Sequence, residues 1–109
     1  MFRTKTQHKA CKGCPVAKTA DLIGDSIVLL IIRDLAKKSA RFSDLAESLP
    51  AISTRTLTGK LKLLEEEGLI GKEKFAEFPP RVLYSLTKKG KGLKSVMKAM
   101  EKYGTTFLK

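Results

Sequence analysis

The sequence predicts a mainly α-helical domain carrying one small β-hairpin, the α+β class. Two observations make that prediction. Up to Gly68 the apolar residues recur at helical spacing in stretches that carry their own start and stop signals. After Gly68 the period falls to two for a pair of short runs, and it returns to helical spacing from Lys88 onward. With 109 residues and 42% apolar content, the chain closes one modest core. Residues 1–13 read as a flexible basic arm without periodicity, and 14–109 as a single domain.

Pro15 suits the first turn of a helix running to about Ile23, because its missing N–H is unpaired there anyway. Gly24 ends that helix, and Asp25 or Ser26 caps the next. Ile27 to Leu35 is β-branched and apolar nearly all round, so periodicity alone fits a buried strand or a buried helix. The cap at Asp25 and the cations Lys37 and Lys38 at the far end favour helix.

"RFSDLAESLP" offers Ser43 as an N-cap, Leu45 and Leu49 on one face, and Pro50 as a stop. A further helix, 53–67, is capped by Ser53 and closed by Gly68, with Leu57, Leu61 and Leu64 as its core-facing stripe. Two helices joined this tightly make a helix-turn-helix. "LIGKEKF" and "RVLYSLT" then form a hairpin over 69–87 whose tip holds Pro79 and Pro80, which cannot donate to a ladder. Residues 88–108 place Leu93, Val96, Met97, Met100, Tyr103 and Phe107 on one helical face.

Helices followed by a hairpin give the winged helix-turn-helix plan, here with extra helices at 14–24 and 88–108. Projection of 53–67 puts Arg55, Gly59, Lys62 and Glu66 opposite the leucines, with Thr56 and Thr58 on the flanks. Residues at the start of such a helix reach base edges in the major groove, which nominates Ser53, Thr54, Arg55 and Thr56. The Arg55 fork matches guanine O6 and N7, whereas Lys60 and Lys62 suit phosphates. Gly59 is either a close approach of helix backbone to DNA or a neutral substitution. On the hairpin, Lys72, Lys74 and Arg81 are candidates for phosphate or minor-groove contacts, diluted by Glu73 and Glu77.

Charge points the same way. Twenty-two Lys and Arg against eleven Asp and Glu leave +11, which marks a phosphate-rich partner, double-stranded DNA ahead of an anionic membrane surface. The longest apolar run, Ile27 to Ile32, is too short to span a membrane, and the basic N-terminus lacks the apolar core of a signal peptide, so the expected location is the cytoplasm. No enzyme and no cofactor are indicated, since the sequence holds no paired catalytic groups and a single His. The apolar face of 88–108 lies beyond the winged unit, and a second copy of the chain is the ready way to cover it, assisted by Leu22 and Ile23 of the first helix; packing back onto the same chain is the alternative.

Both cysteines lie in "ACKGCPV". His8, Cys11 and Cys14 are weak zinc candidates, because tetrahedral zinc wants four ligands and no further Cys or His exists. Thioredoxin-type chemistry needs a βαβ setting that is missing. A thiol sensor needs only a thiolate, which the helix start after Cys14, with Lys12 and Lys18 nearby, favours, Cys11 then being the resolving partner. An inert arm is the remaining reading.

The chain also resembles the HxlR-type winged-helix transcriptional regulators. The likeness rests on "CPV", "DLIGD", "LLIIRDL", "RFSDL", "IS" followed by "LT", "LKLLEEEGLI", "PPRVLYSLT" and Gly90, in that order. It implies a homodimer joined through N- and C-terminal helices, and it implies that Cys14 corresponds to a thiol that senses small electrophiles or oxidants. Where the family usually has Gly-Lys-Trp after "DLIG", this chain has Asp25, Ser26 and Ile27, so an aromatic packing element is absent. The expectation is therefore a sequence-specific, DNA-binding transcriptional regulator on an inverted-repeat operator. The alternatives are a winged-helix protein-interaction module and a non-specific architectural DNA-binding protein.

Overall fold

Pro15 opens the first helix of the computed structural model, which describes residues 13–49 and 51–108. Helix α1 spans Pro15–Ile23, α2 Ser26–Lys37, α3 Phe42–Ser48 and α4 Thr54–Glu66. Strands β1, Ile70–Phe75, and β2, Arg81–Leu86, follow, and then α5, Lys88–Lys91, and α6, Lys94–Phe107. The arm at 1–12, with Cys11, His8 and Lys12, lies outside the described residues.

The ambiguous apolar run is helical. Asp25 Oδ1 accepts from the amides of Ile27 at 2.8 Å and Val28 at 3.1 Å, so two donors that the helix cannot satisfy itself are paired. Val28, Ile31 and Ile32 of α2 have no exposed surface and form the centre of the core. Leu45 of α3, Leu57, Leu61 and Leu64 of α4, Leu69, Ile70, Leu86 and Leu93 close round them. The leucine stripe of α4 is therefore its inward face, as its spacing predicts.

Ser43 is not a cap. The helix starts two residues earlier than a Ser43 cap requires, at Phe42 with Arg41 as the N-cap, and Asp44 reaches back to accept from the Arg41 amide at 3.0 Å, which leaves Ser43 inside the first turn. Ser53 does cap α4, its Oγ accepting from the Thr56 amide at 3.0 Å. The other end of α4 closes with a left-handed Gly68, φ +76°, and with Leu69 N–H donating to Leu64 O and Gly68 N–H to Glu65 O, a Schellman motif.

That stop delivers the chain into the hairpin, where Ile70 faces Leu86 and Phe75 faces Arg81 in antiparallel register. Ala40 exchanges both backbone bonds with Tyr84, at 3.0 and 2.8 Å, so the α2–α3 connection serves as a one-residue third strand. The turn into α5 admits only glycine at position 90: a Cβ there would lie 2.1 Å from Leu69 O. The single helical face expected over 88–108 is broken at Gly92 and Leu93 into α5 and α6. Leu93, at the joint, points into the core.

Candidate nucleic-acid interface

Leucine on one side of α4 turns its other side outward. Thr54, Arg55, Thr56, Gly59 and Lys62 are all exposed, with Ser53 at the cap. Ser53 Oγ also donates to Thr56 Oγ1 at 3.0 Å, so these two hydroxyls are already joined and hold the first turn in shape. A Cβ at Gly59 would meet nothing within 4 Å, so no packing inside the chain requires glycine there. The acidic cluster Glu65, Glu66 and Glu67 occupies the far end of the helix, away from Arg55.

Lys60 departs from the expected face. It is 8% exposed, and its Nζ sits 2.5 Å from Asp25 Oδ2. The reason is its register: three residues after Leu57 and one before Leu61, it lies on the flank of the buried stripe, and its ammonium finds the carboxylate that caps α2. Asp25 thus fastens α4 to the start of α2 with one oxygen while capping α2 with the other. Burial pushes the Asp25 carboxyl up, but the Lys60 hydrogen bond, the Val28 amide, the Lys60 charge and the Ile27 amide outweigh it and hold the group below 3.8. The sequence carried a signal for this: Asp25 stands where the resembling family usually has Gly, and an acid beside an apolar core needs a cation.

On the wing, β1 packs against α4 and so fixes the hairpin beside it. Lys72 and Lys74 are exposed. Arg81 is only half-exposed and already engaged: its guanidinium lies 4.3 Å over the Phe75 ring and 3.0 Å from Glu77 Oε2. Sequence reasoning passed over Phe78 at the tip, which is 100% exposed.

The apolar face of α6 is divided. Leu93 and, on α1, Ile23 are buried in the chain's own core, which corrects their placement on a surface for a second copy; Leu22, Val96 and Met97 are half-buried against that core. Met100, Tyr103 and Phe107 remain exposed, the two rings 5.0 Å apart. Val16 on α1 is also exposed, at 76%, and was not foreseen. Cys14 is half-buried at the N-cap position of α1, with extended backbone at φ −69°. Of the weak zinc set only Cys14 lies among the described residues, and among them no three His, Cys, Asp or Glu gather. No helix among the described residues is long and apolar enough to cross a membrane.

A tight pair of helices with an exposed second member and a hairpin beside it defines the winged helix-turn-helix class. The profile of the HxlR-like helix-turn-helix family matches residues 22–109. The HTH-type transcriptional regulator sll1512 of Synechocystis is 40% identical over 95 residues, covering 87% of this chain and 70% of that one. Among solved structures, a MarR-family regulator from Porphyromonas gingivalis W83 superposes with a TM-score of 0.82 at 36% identity, over 87% of this chain and 93% of that one. The redox regulator HypR in its oxidized form gives a TM-score of 0.82 at 31% identity, over 88% and 99%. The chain belongs to the HxlR-like helix-turn-helix family.

Proposed function

We propose that the chain is a transcriptional regulator that binds double-stranded DNA sequence-specifically, as a homodimer on an inverted repeat. One observation carries this reading: α4 is anchored by Leu57, Leu61 and Leu64 while Arg55, Thr54, Thr56 and Lys62 face outward. In the major groove Arg55 pairs bidentately with a guanine edge, and Lys62 meets a phosphate, as do Lys72 and Lys74 on the wing. Lys60 has no part in these contacts and acts instead by setting the angle of α4 through Asp25.

The homodimer is supported by the exposed set Val16, Met100, Tyr103 and Phe107 on α1 and α6, with the half-buried Leu22, Val96 and Met97 at its margin. A two-fold pair of α4 helices requires half-sites separated by about 10 bp or a multiple of it. A response to oxidants or electrophiles at Cys14 is supported by its place at the start of α1, where the helix dipole favours a thiolate, and by the likeness to HypR. Modified at Cys14, α1 shifts against its partner and changes the separation of the two α4 helices.

Selection of bound duplexes from random DNA, with and without diamide, tests the whole reading. The expected result is an inverted repeat bound at least about a thousandfold more tightly than random duplex, with the preference weakened by diamide in the wild type and unchanged in Cys14→Ser. Equal affinity for all sequences instead identifies an architectural binder, and no binding to any duplex identifies a protein-docking module.

A further inference from the structure

We propose that Phe78, at the tip of the wing, is a wedge that enters the minor groove of bound duplex DNA and partly unstacks one base step; this rests on the reading of the chain as a duplex-binding protein. Phe78 is the one fully exposed large apolar side chain among the described residues. The others with high exposure, Val16, Met100, Tyr103, Phe107 and Leu108, lie on α1, along α6 and directly after it, on the helices proposed above to meet a second copy. Phe78 is on a different element, the loop between β1 and β2, where its exposed apolar neighbours along the chain are only Ala76, Pro79 and Pro80, a smaller set than the patches protein partners use.

Its surroundings suit DNA. Glu77, the neighbouring acid, is paired with Arg81 at 3.0 Å, which removes a bare negative charge from the part of the tip that would approach phosphates. The Arg81 guanidinium is in turn held over Phe75 at 4.3 Å, so the base of the tip is braced by an ion pair and a stacked cation. Pro79 and Pro80 restrict the backbone on the far side, which lowers the entropy lost when the tip is fixed in a groove. Lys72 and Lys74, exposed along β1, supply phosphate contacts beside it. Because β1 packs on α4, a duplex that takes α4 in its major groove brings the adjacent minor groove to the wing. A side chain of this type inserted between base steps there kinks the duplex toward the major groove.

The test uses the full chain and a duplex selected by it from random DNA, labelled with donor and acceptor dyes at its ends and with 2-aminopurine at candidate steps. Phe78→Ala is expected to unfold at the wild-type temperature and to keep the wild-type dependence of affinity on salt, since no phosphate contact is lost. It should bind about tenfold or more weakly, with a smaller bend and with 2-aminopurine as quenched as in free DNA. Phe78→Leu should restore bend and fluorescence. Unchanged bend and fluorescence in Phe78→Ala overturns the wedge, as does a loss of affinity accompanied by a shallower salt dependence. Unstacking needs no sequence preference, so the same bend is read on a random duplex. Absence of a preferred sequence therefore sinks sequence reading by α4 without deciding the wedge, and a straight complex sinks the wedge without touching α4. A chain that binds neither duplex overturns both.

Discussion

Lys60 and Lys62 are two residues apart, carry the same charge, and do different work. The Lys60 ammonium is committed to Asp25, whereas that of Lys62 is turned to solvent. Lys62→Met should therefore lower the slope of log affinity against log salt by about one phosphate contact, and Lys60→Met should weaken binding with the slope intact. The same replacement leaves the Asp25 charge half-desolvated and costs about 1–2 kcal/mol in urea denaturation, below the full price of a buried pair because Asp25 keeps its two amides. The sign of the pH effect follows from the lowered Asp25 carboxyl. Its contribution to stability is fully present above about pH 4 and is lost as pH falls through the folded-state value below that. Urea midpoints for Asp25→Asn should thus be lower than wild type at neutral pH and converge with it as acid is added. Gly90→Ala drives a Cβ into Leu69 O, 2.1 Å away, and is expected to cost about 2–4 kcal/mol by thermal unfolding.

Between elements, what the sequence disclosed was what is written in local spacing. The stripe Leu57, Leu61, Leu64 and the caps at Asp25 and Ser53 are each read within one or two turns, and each is found in place. Less legible was whatever depends on a partner distant along the chain. Lys60 was nominated for phosphate by its charge although its register, three after Leu57 and four before Leu64, sets it beside the leucine stripe, and the carboxylate that accepts a lysine there is 35 positions earlier. Leu93 and Ile23 looked available for a second copy because nothing in their own segments shows the core that the rest of the chain closes over them. Ser43 lost the cap position to Arg41, whose amide Asp44 holds from inside the first turn, a competition between neighbours that composition alone does not decide. At this scale the testable consequence concerns the exposed end of α6. Tyr103→Asp with Phe107→Asp should leave the thermal midpoint of a dilute sample nearly unaltered, because neither ring is in the core, and should shift the sedimenting species from dimer to monomer.

Across the molecule, charge and shape act together. An excess of eleven positive charges draws any duplex to the surface, so attraction alone does not identify a reading face. In the proposed reading what distinguishes it is a single arginine at the open end of α4, a helix held by leucines beneath, by Asp25 at its flank and by the hairpin beside it. The measurement that tests this most directly is titration of wild type and Arg55→Ala against the selected duplex and against a scrambled duplex of equal length, at one fixed salt concentration. On the selected duplex Arg55→Ala should bind about ten- to a hundredfold more weakly, and on the scrambled duplex only a few-fold. Equal losses on both, or none on either, would contradict the assignment of α4 as the helix that reads the sequence.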